Sequence, residues 1–558
     1  MRPSLLLCIS MTVGLPALPA FAHEEEVVRN LDTVIVHGRG LELIGEAGAA
    51  SEGVVGYADF EDRPLSRVGE LVEVIPGAVA TQHSGEGKAN QYFLRGFNLD
   101  HGTDFSATVD GVPANMRTHG HGQGYLDLNF VIPEIVERVN YRKGPYSAQA
   151  GDFSAAGSAR YQTYDRLDDS FAEISFGEGN YLRTVAAASF DLSPGSSLLL
   201  AGEAQAYDGP WVLEQDLEKL NLFAKYTRQT FTYKYQLLAT AYKSEYVSTD
   251  QVPLRAIKSG AIDRFGFIDD DLGGETTRYS LAFNNEITHG DGATTRMNAY
   301  AVAYDFSLYS NFTYFLDDPV NGDEFEQIDE RTYYGGTLSH SRDLSDRLTL
   351  RAGGDIRSDD ISDIGLFRTA SRQRISTTRR DSVRETSVSA WGELEYDLTD
   401  TLRATAGLRG DYFDAEVDAR SLAANGGDAS DSLLSPSLGL AWQARPGVEL
   451  YANYGEGFHS NDVRGATITI DPATGDPASA VPILVRAKGS ELGARFEGKH
   501  LKATLALFQL DLDSELVFVG DAGTTEANDA STRHGLEASL FLAPNDWRRG
   551  HRLPFRYR

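Results

Sequence analysis

From about Ser170 onward the side chains alternate in character with a period of two, and the pattern recurs over hundreds of residues. Leu198, Leu200, Gly202, Ala204 and Ala206 alternate with Leu199, Ala201, Glu203, Gln205 and Tyr207. Leu402, Ala404, Ala406 and Leu408 alternate with Arg403, Thr405, Gly407 and Arg409; Val448, Leu450, Ala452 and Tyr454 alternate with Glu449, Tyr451 and Asn453. Successive side chains of a strand point to opposite faces, so each segment has one apolar or small face and one more polar face. Strands of this kind suit a transmembrane antiparallel β-barrel with lipid outside and a wet interior. A soluble antiparallel β protein, such as a propeller, is the competing reading. The connections weigh against it. Tight turns at Ser193-Pro194-Gly195-Ser196, Leu344-Ser345-Asp346, Leu398-Thr399-Asp400 and Arg445-Pro446-Gly447 alternate with long polar segments at 257–275, 317–329, 357–380 and 415–432. Short turns on one side and long loops on the other are characteristic of outer-membrane barrels.

The N-terminus points to the same compartment. Arg2 precedes an apolar run from Leu5 to Leu18 that Pro16 interrupts, and Ala20-Phe21-Ala22 supplies small residues for cleavage, so 1–22 reads as a signal peptide. The run falls short of the roughly 20 apolar residues a spanning helix needs. Cys8, the only cysteine, lies inside it; a lipoprotein reading of Leu6-Leu7-Cys8 is disfavoured because the apolar run continues past it. A chain starting at His23 has no cysteine, which excludes disulfides and thiolate metal sites. The 55 Gly, 26 Tyr and 27 Phe among 558 residues favour one large barrel over several soluble domains. A formal charge of −30 argues against a nucleic-acid partner, whose phosphates it would repel.

Residues 23–50 are polar and Gly/Ala-rich, with one β-prone island at Leu31 to Val36. Residues 51–165 have another texture, with many glycines and short mixed signals. Leu65, Val68, Leu71 and Val72 predict a helix over 65–74 that stops at Pro76-Gly77, and 105–109 and 136–141 predict strands. This is a compact α/β domain, separate from the barrel at 166–547.

Seven ordered blocks run through it: Leu71 to Pro76-Gly77; Leu94-Arg95-Gly96-Phe97; Val109-Asp110-Gly111-Val112-Pro113; Ile135-Val136-Glu137-Arg138-Val139; Lys143-Gly144-Pro145; Gly151; and Gly157 to Thr163. Taken in order they resemble the plug domain of TonB-dependent receptors. Asp32-Thr33-Val34-Ile35-Val36 resembles the TonB box of that family, a short extended segment that a partner captures by strand addition. Tyr454-Gly455-Glu456-Gly457-Phe458 and Glu491-Leu492-Gly493 resemble its barrel motifs. The resemblance implies a small α/β plug inside an outer-membrane barrel of a Gram-negative bacterium, importing a scarce ligand with energy that TonB and its inner-membrane complex deliver. It also implies that Arg95, Glu137 and Lys143 bond the plug to the barrel wall. A ligand-sensing surface receptor is the alternative within the family. No nucleophile elbow, His-Glu-x-x-His or phosphate loop is present, so neither an enzyme nor a resident cofactor is expected.

The most unusual local sequence is Asn115-Met116-Arg117-Thr118-His119-Gly120-His121-Gly122-Gln123-Gly124, with His83 and His101 in other plug loops. Imidazole and thioether together suit copper, nickel or zinc, which makes His119 and His121 candidate metal ligands, with His83, His101, Met116 and His459 as further ligand-site candidates. Arg95 and Arg117 suit an anionic siderophore instead. The acidic runs Asp269-Asp270-Asp271 and Asp323-Glu324 suit calcium or plain solvation.

Barrels of this family close with about 22 strands, whereas about 16 strand-like segments fit between Ser170 and Leu542 at membrane-spanning length. The basic segment 548–558 breaks the alternation. The expectation is a shortened barrel, interrupted after about Trp547 and leaving a remnant that does not transport, or else a smaller even-numbered barrel.

Overall fold

The computed structural model describes residues 38–63, 65, 67–82, 86–515, 517–526 and 529–542. The segments read above as a signal peptide (1–22) and a TonB box (32–36), together with His83 and the basic segment 548–558, lie outside the described residues.

Among the described residues, sixteen antiparallel strands form one sheet in chain order, each bonded to the next, from Phe171–Phe176 to Ser531–Leu542. The alternation becomes two faces. Leu200, Leu222, Leu281, Leu338, Leu438, Leu492 and Leu536 point outward and are exposed, whereas Glu203, Asn221, Arg278, Arg331 and Glu491 point inward and are buried. An apolar belt of this extent suits lipid and would be an association hazard in water. Pairing along the ladders satisfies the backbone groups that hydrocarbon cannot. The four turns expected to be tight are tight. Gly195 and Gly447 take φ of +72° and +76°, and a Cβ there would meet the backbone oxygens of Gln229 and Glu497 at 2.4 and 2.6 Å.

Three expectations are corrected. Segment 415–432 is mostly strand, because Leu402–Ala419 and Gly427–Arg445 leave only 420–426 between them. Segment 357–380 is no loop: strands Leu348–Ala370 and Gln373–Thr399 run through it and reverse at Ser371 and Arg372, both at positive φ. It reads as polar because a hairpin that extends past the lipid needs no apolar face. The helix expected over 65–74 is a single 3-10 turn, Val68–Leu71, since a helix that short gains little from its own hydrogen bonds.

The plug has a five-stranded sheet in the order Gly53–Gly56, Val136–Lys143, Gly157–Thr163, Phe105–Val109, Val112–Pro113, with one parallel pairing between the third and fourth. Its core of Val55, Leu71, Leu94, Phe105, Val136 and Tyr161 continues without a break into Ala487, Phe508 and Leu510 of the wall. The plug therefore fills the lumen.

Candidate ligand site at the plug apex

Two rings of polar contacts hold the plug to the wall. In the one nearer the tight turns, buried Arg95 reaches Glu491 at 2.8 Å and Glu537 at 3.1 Å, and Lys143 reaches Glu537 at 3.2 Å. The guanidinium of Arg95 also lies 4.3 Å from the Phe508 ring centre. Glu137 departs from expectation: it is exposed, with no hydrogen bond or ion pair among the described residues. Glu134, just before that strand, takes the wall contact, with Arg183 at 2.6 Å. The register against Gly157–Thr163 shifts at this point, Arg138 opposing Gln162 and Val136 opposing Thr163, so Glu137 is the extra residue of a bulge and is left exposed while Val136 and Val139 are both buried.

The second ring surrounds the histidine loop. Asn115–Met116 pairs with Tyr125–Leu126 and closes residues 117–124 into a lobe. The Asn115 amide braces it, accepting from the Ala107 N–H at 2.8 Å and donating to the Phe105 oxygen at 2.9 Å. The wall then grips the lobe mainly by its backbone. Asp329 accepts the Gly120 N–H at 3.0 Å, Arg331 donates to the Thr118 oxygen, and Arg357 donates to the Asn115 oxygen at 2.9 Å. Glu385 accepts the Thr118 hydroxyl at 3.1 Å. Arg464, in the connection after strand Val448–Ser460, donates to the His119 oxygen at 2.9 Å. Gly520, in the connection before the last strand, packs so closely that a Cβ would meet the His121 oxygen at 2.1 Å. Both connections belong to the long-loop side, so the lobe is the part of the plug nearest that mouth.

The histidines divide into distinct settings. His119 is fully buried and stacks on Tyr125 at 4.1 Å with planes 7° apart. Its Nδ1 accepts the His121 backbone N–H at 3.1 Å, and its Nε2 lies 3.3 Å from the Tyr304 hydroxyl. Burial, reinforced by the charge of Arg331, pushes its pKa well down and keeps it neutral. The His121 ring turns the other way, to His101: their Nε2 atoms stand 3.0 Å apart. His101 Nδ1 contacts the Asn90 oxygen at 3.1 Å, and His121 Nδ1 contacts Gln327 Oε1 at 2.7 Å. Asp100 Oδ1 lies 3.8 Å from His101 Nε2. Burial first, then the charge His101 would carry, lowers the His121 pKa.

Met116 is buried against Tyr125, Tyr304 and Phe306. Arg117 bonds Asp152 at 2.9 Å and Ser387 at 2.8 Å, with the Phe413 ring centre 4.5 Å away. His459 stands apart from the histidine pair, its Nδ1 2.9 Å from Asp104 Oδ1. Gln327, Asp329 and Arg331 were missed in the sequence, although they are the inward positions of one alternating segment. Of the acidic residues, Asp269, Asp271 and Glu324 bring carboxylate oxygens within 4.8 Å of one another, while Asp323 accepts backbone N–H groups of 316–318. An apolar hollow of about 960 Å³ is lined by outward residues such as Leu438, Leu492 and Leu507. It faces lipid, away from the lobe.

The model of the TonB-dependent receptor plug domain matches residues 46–158, and that of the TonB-dependent receptor-like β-barrel matches 215–557. The chain belongs to the TonB-dependent receptors. Members of this family are transporters and receptors, not enzymes, and sit in the outer membrane of Gram-negative bacteria. The vitamin B12 transporter BtuB of Vibrio vulnificus strain CMCP6 is 28% identical over 231 residues, covering 40% of this chain. The match spans 36% of that relative, and the corresponding match to BtuB of strain YJ016 spans 27% of it, so about a third of these relatives' length is covered. Among solved structures, the unliganded ferric citrate transporter FecA superposes with a TM-score of 0.71 at 15% identity, covering 89% of this chain and 75% of FecA. The copper transporter OprC gives 0.70 at 15% identity, covering 89% and 78%. At such identity these TonB-dependent receptors attest the fold alone.

Proposed function

We propose that this receptor is an outer-membrane importer of a scarce metal ion or metal chelate, energised through TonB. The observation that carries the reading is the lobe at 115–124, which brings His101, His119, His121 and Met116 to the long-loop end of the lumen. Imidazole and thioether groups are suited to borderline and soft transition metals. The wall grips the lobe through hydrogen bonds that can be exchanged, so a pull on the plug has a defined set of contacts to break. The box at Asp32 to Val36 is the segment that TonB would capture as an added strand. The domain limits that go with this reading are a leader at 1–22, the box segment at 23–50, a plug at 51–165 and the barrel from 166 to 547. An anionic siderophore held by Arg95 and Arg117 is the weaker reading, because both guanidiniums are already paired with carboxylates.

The test is metal accumulation in cells that express the chain on medium limited for copper or zinc. Ile35→Pro removes the N–H a strand-adding partner needs and is expected to reduce accumulation to the level of cells lacking the receptor. Unchanged accumulation in Ile35→Pro cells would refute energised import through this segment.

A further inference from the structure

His101 and His121 bring their Nε2 atoms within 3.0 Å of each other at the plug apex. A backbone oxygen can only accept, so the contact from His101 Nδ1 to the Asn90 oxygen places the proton on Nδ1 and leaves the lone pair on Nε2. The contact from His121 Nδ1 to Gln327 Oε1, at 2.7 Å, does the same for the second ring. The two Nε2 atoms, each with its lone pair, then stand 3.0 Å apart. This is the tautomer that metal-binding histidines adopt, with the far nitrogen donating to a carbonyl so that the near one presents its lone pair. Two imidazole nitrogens bound to one ion at about 2.0–2.1 Å stand about 2.9–3.4 Å apart for bond angles between a right angle and a tetrahedral one. The observed separation falls in that range.

We propose that His101 Nε2 and His121 Nε2 form a two-nitrogen site for a divalent borderline cation, copper(II) or zinc(II), at the plug apex. Asp100, with its carboxylate 3.8 Å from His101 Nε2, is the nearest anionic group for a third position. His119 is not a ligand of this site: its Nδ1 is taken by the His121 N–H and its ring by Tyr125. Its role is to set the turn that aims His121 at His101. Gln327 is a positioning residue that fixes the His121 tautomer from the wall, so a cation at this site would tie the plug lobe to strand Phe325–Ser345.

The inference rests on the import reading for its biological use, but its test does not. The full chain, purified in detergent without a histidine tag, is titrated with copper(II) alone and, separately, with the nitrilotriacetate complex of copper(II). Calorimetry and electron paramagnetic resonance follow the binding. A single equivalent bound with splitting from two imidazole nitrogens is expected; binding of the bare ion or of the complex alone identifies the form captured, and either supports the site. His101→Ala and His121→Ala should each weaken binding at least hundredfold, and Gln327→Leu by about 10–100-fold. Unchanged heat-modifiable gel mobility of the variants shows that the fold survives. If a variant fails to fold, the nitrogen count of the unaltered protein decides alone. Absence of stoichiometric binding, or a signal without two imidazole nitrogens, would overturn the proposal and reduce the pair to an N–H···N hydrogen bond. Should the site fail while accumulation still depends on Ile35, the import reading stands with another ligand; should the site hold while accumulation ignores Ile35, the import reading falls.

Discussion

At the scale of single residues, the sequence displayed the histidines but not their division of labour. His119 and His121 look like a pair because a single residue separates them, yet the Gly120 turn points their rings apart and gives His121 to His101, twenty positions earlier. The partners that fix each ring, Asn90 and Gln327, carry no local signal that links them to the lobe. Charges that hold the plug were equally ambiguous: Arg95 and Lys143 reach the wall, whereas Glu137 faces outward and Glu134 takes its place. Burial also leaves one plug carboxylate under stress. Asp127 is buried, which pushes its pKa up to about 6, partly offset by hydrogen bonds from Asn129. A carboxylate whose folded pKa lies above its unfolded value costs stability as pH rises from about 4 to about 6, because the folded state binds the proton more tightly. Asp127→Asn keeps the acceptor oxygen without the charge. Thermal unfolding in detergent at pH 7.5 should rise in this variant, by up to about 3 kcal/mol, and the gain should vanish at pH 4. A gain independent of pH would show that packing, not charge, is responsible.

At the scale of elements, the strands were legible and their lengths were not. Alternation marks a strand wherever one face meets lipid and the other the lumen, and it disappears where both faces meet water. That is why the hairpin Leu348–Ala370 and Gln373–Thr399 resembles a loop in the sequence although it is paired for most of its length. The motif Tyr454-Gly455-Glu456-Gly457-Phe458 acquires a physical reason from the plug. A Cβ on Gly455 would meet the Pro145 oxygen at 1.9 Å, and a Cβ on Gly457 or Gly489 would meet the Pro145 ring at 2.7 or 2.8 Å. Lys143-Gly144-Pro145 therefore lies on a part of the wall that has no side chains. Because the obstacle at Gly455 is backbone, no rotamer change relieves it. Gly455→Val is expected to leave the barrel folded, with heat-modifiable mobility retained, while the plug is displaced and becomes cleavable by added protease. A plug as resistant as that of the unaltered protein would mean the wall can give way there.

At the scale of the molecule, the order of signals along the chain, plug blocks and then alternating strands, was sufficient to identify the architecture before any contact was known. The count of about 16 strand-like segments agrees with the sixteen strands of the sheet. The reading of the lumen as simply wet was too coarse, because the plug core joins the wall core at one level, ion pairs join them at a second and hydrogen bonds to the lobe backbone at a third. The wall thus holds the plug by its backbone at the apex and by buried charges lower down. The central claim is that capture occurs at the apex histidines and passage needs energy from TonB. Its most direct test follows isotopically labelled copper(II) on intact cells before and after collapse of the proton-motive force. The account predicts that surface-bound label, dependent on His101 and His121, persists while accumulation inside stops. Accumulation that continues without the proton-motive force would contradict it, because the chain would then be acting as a passive pore.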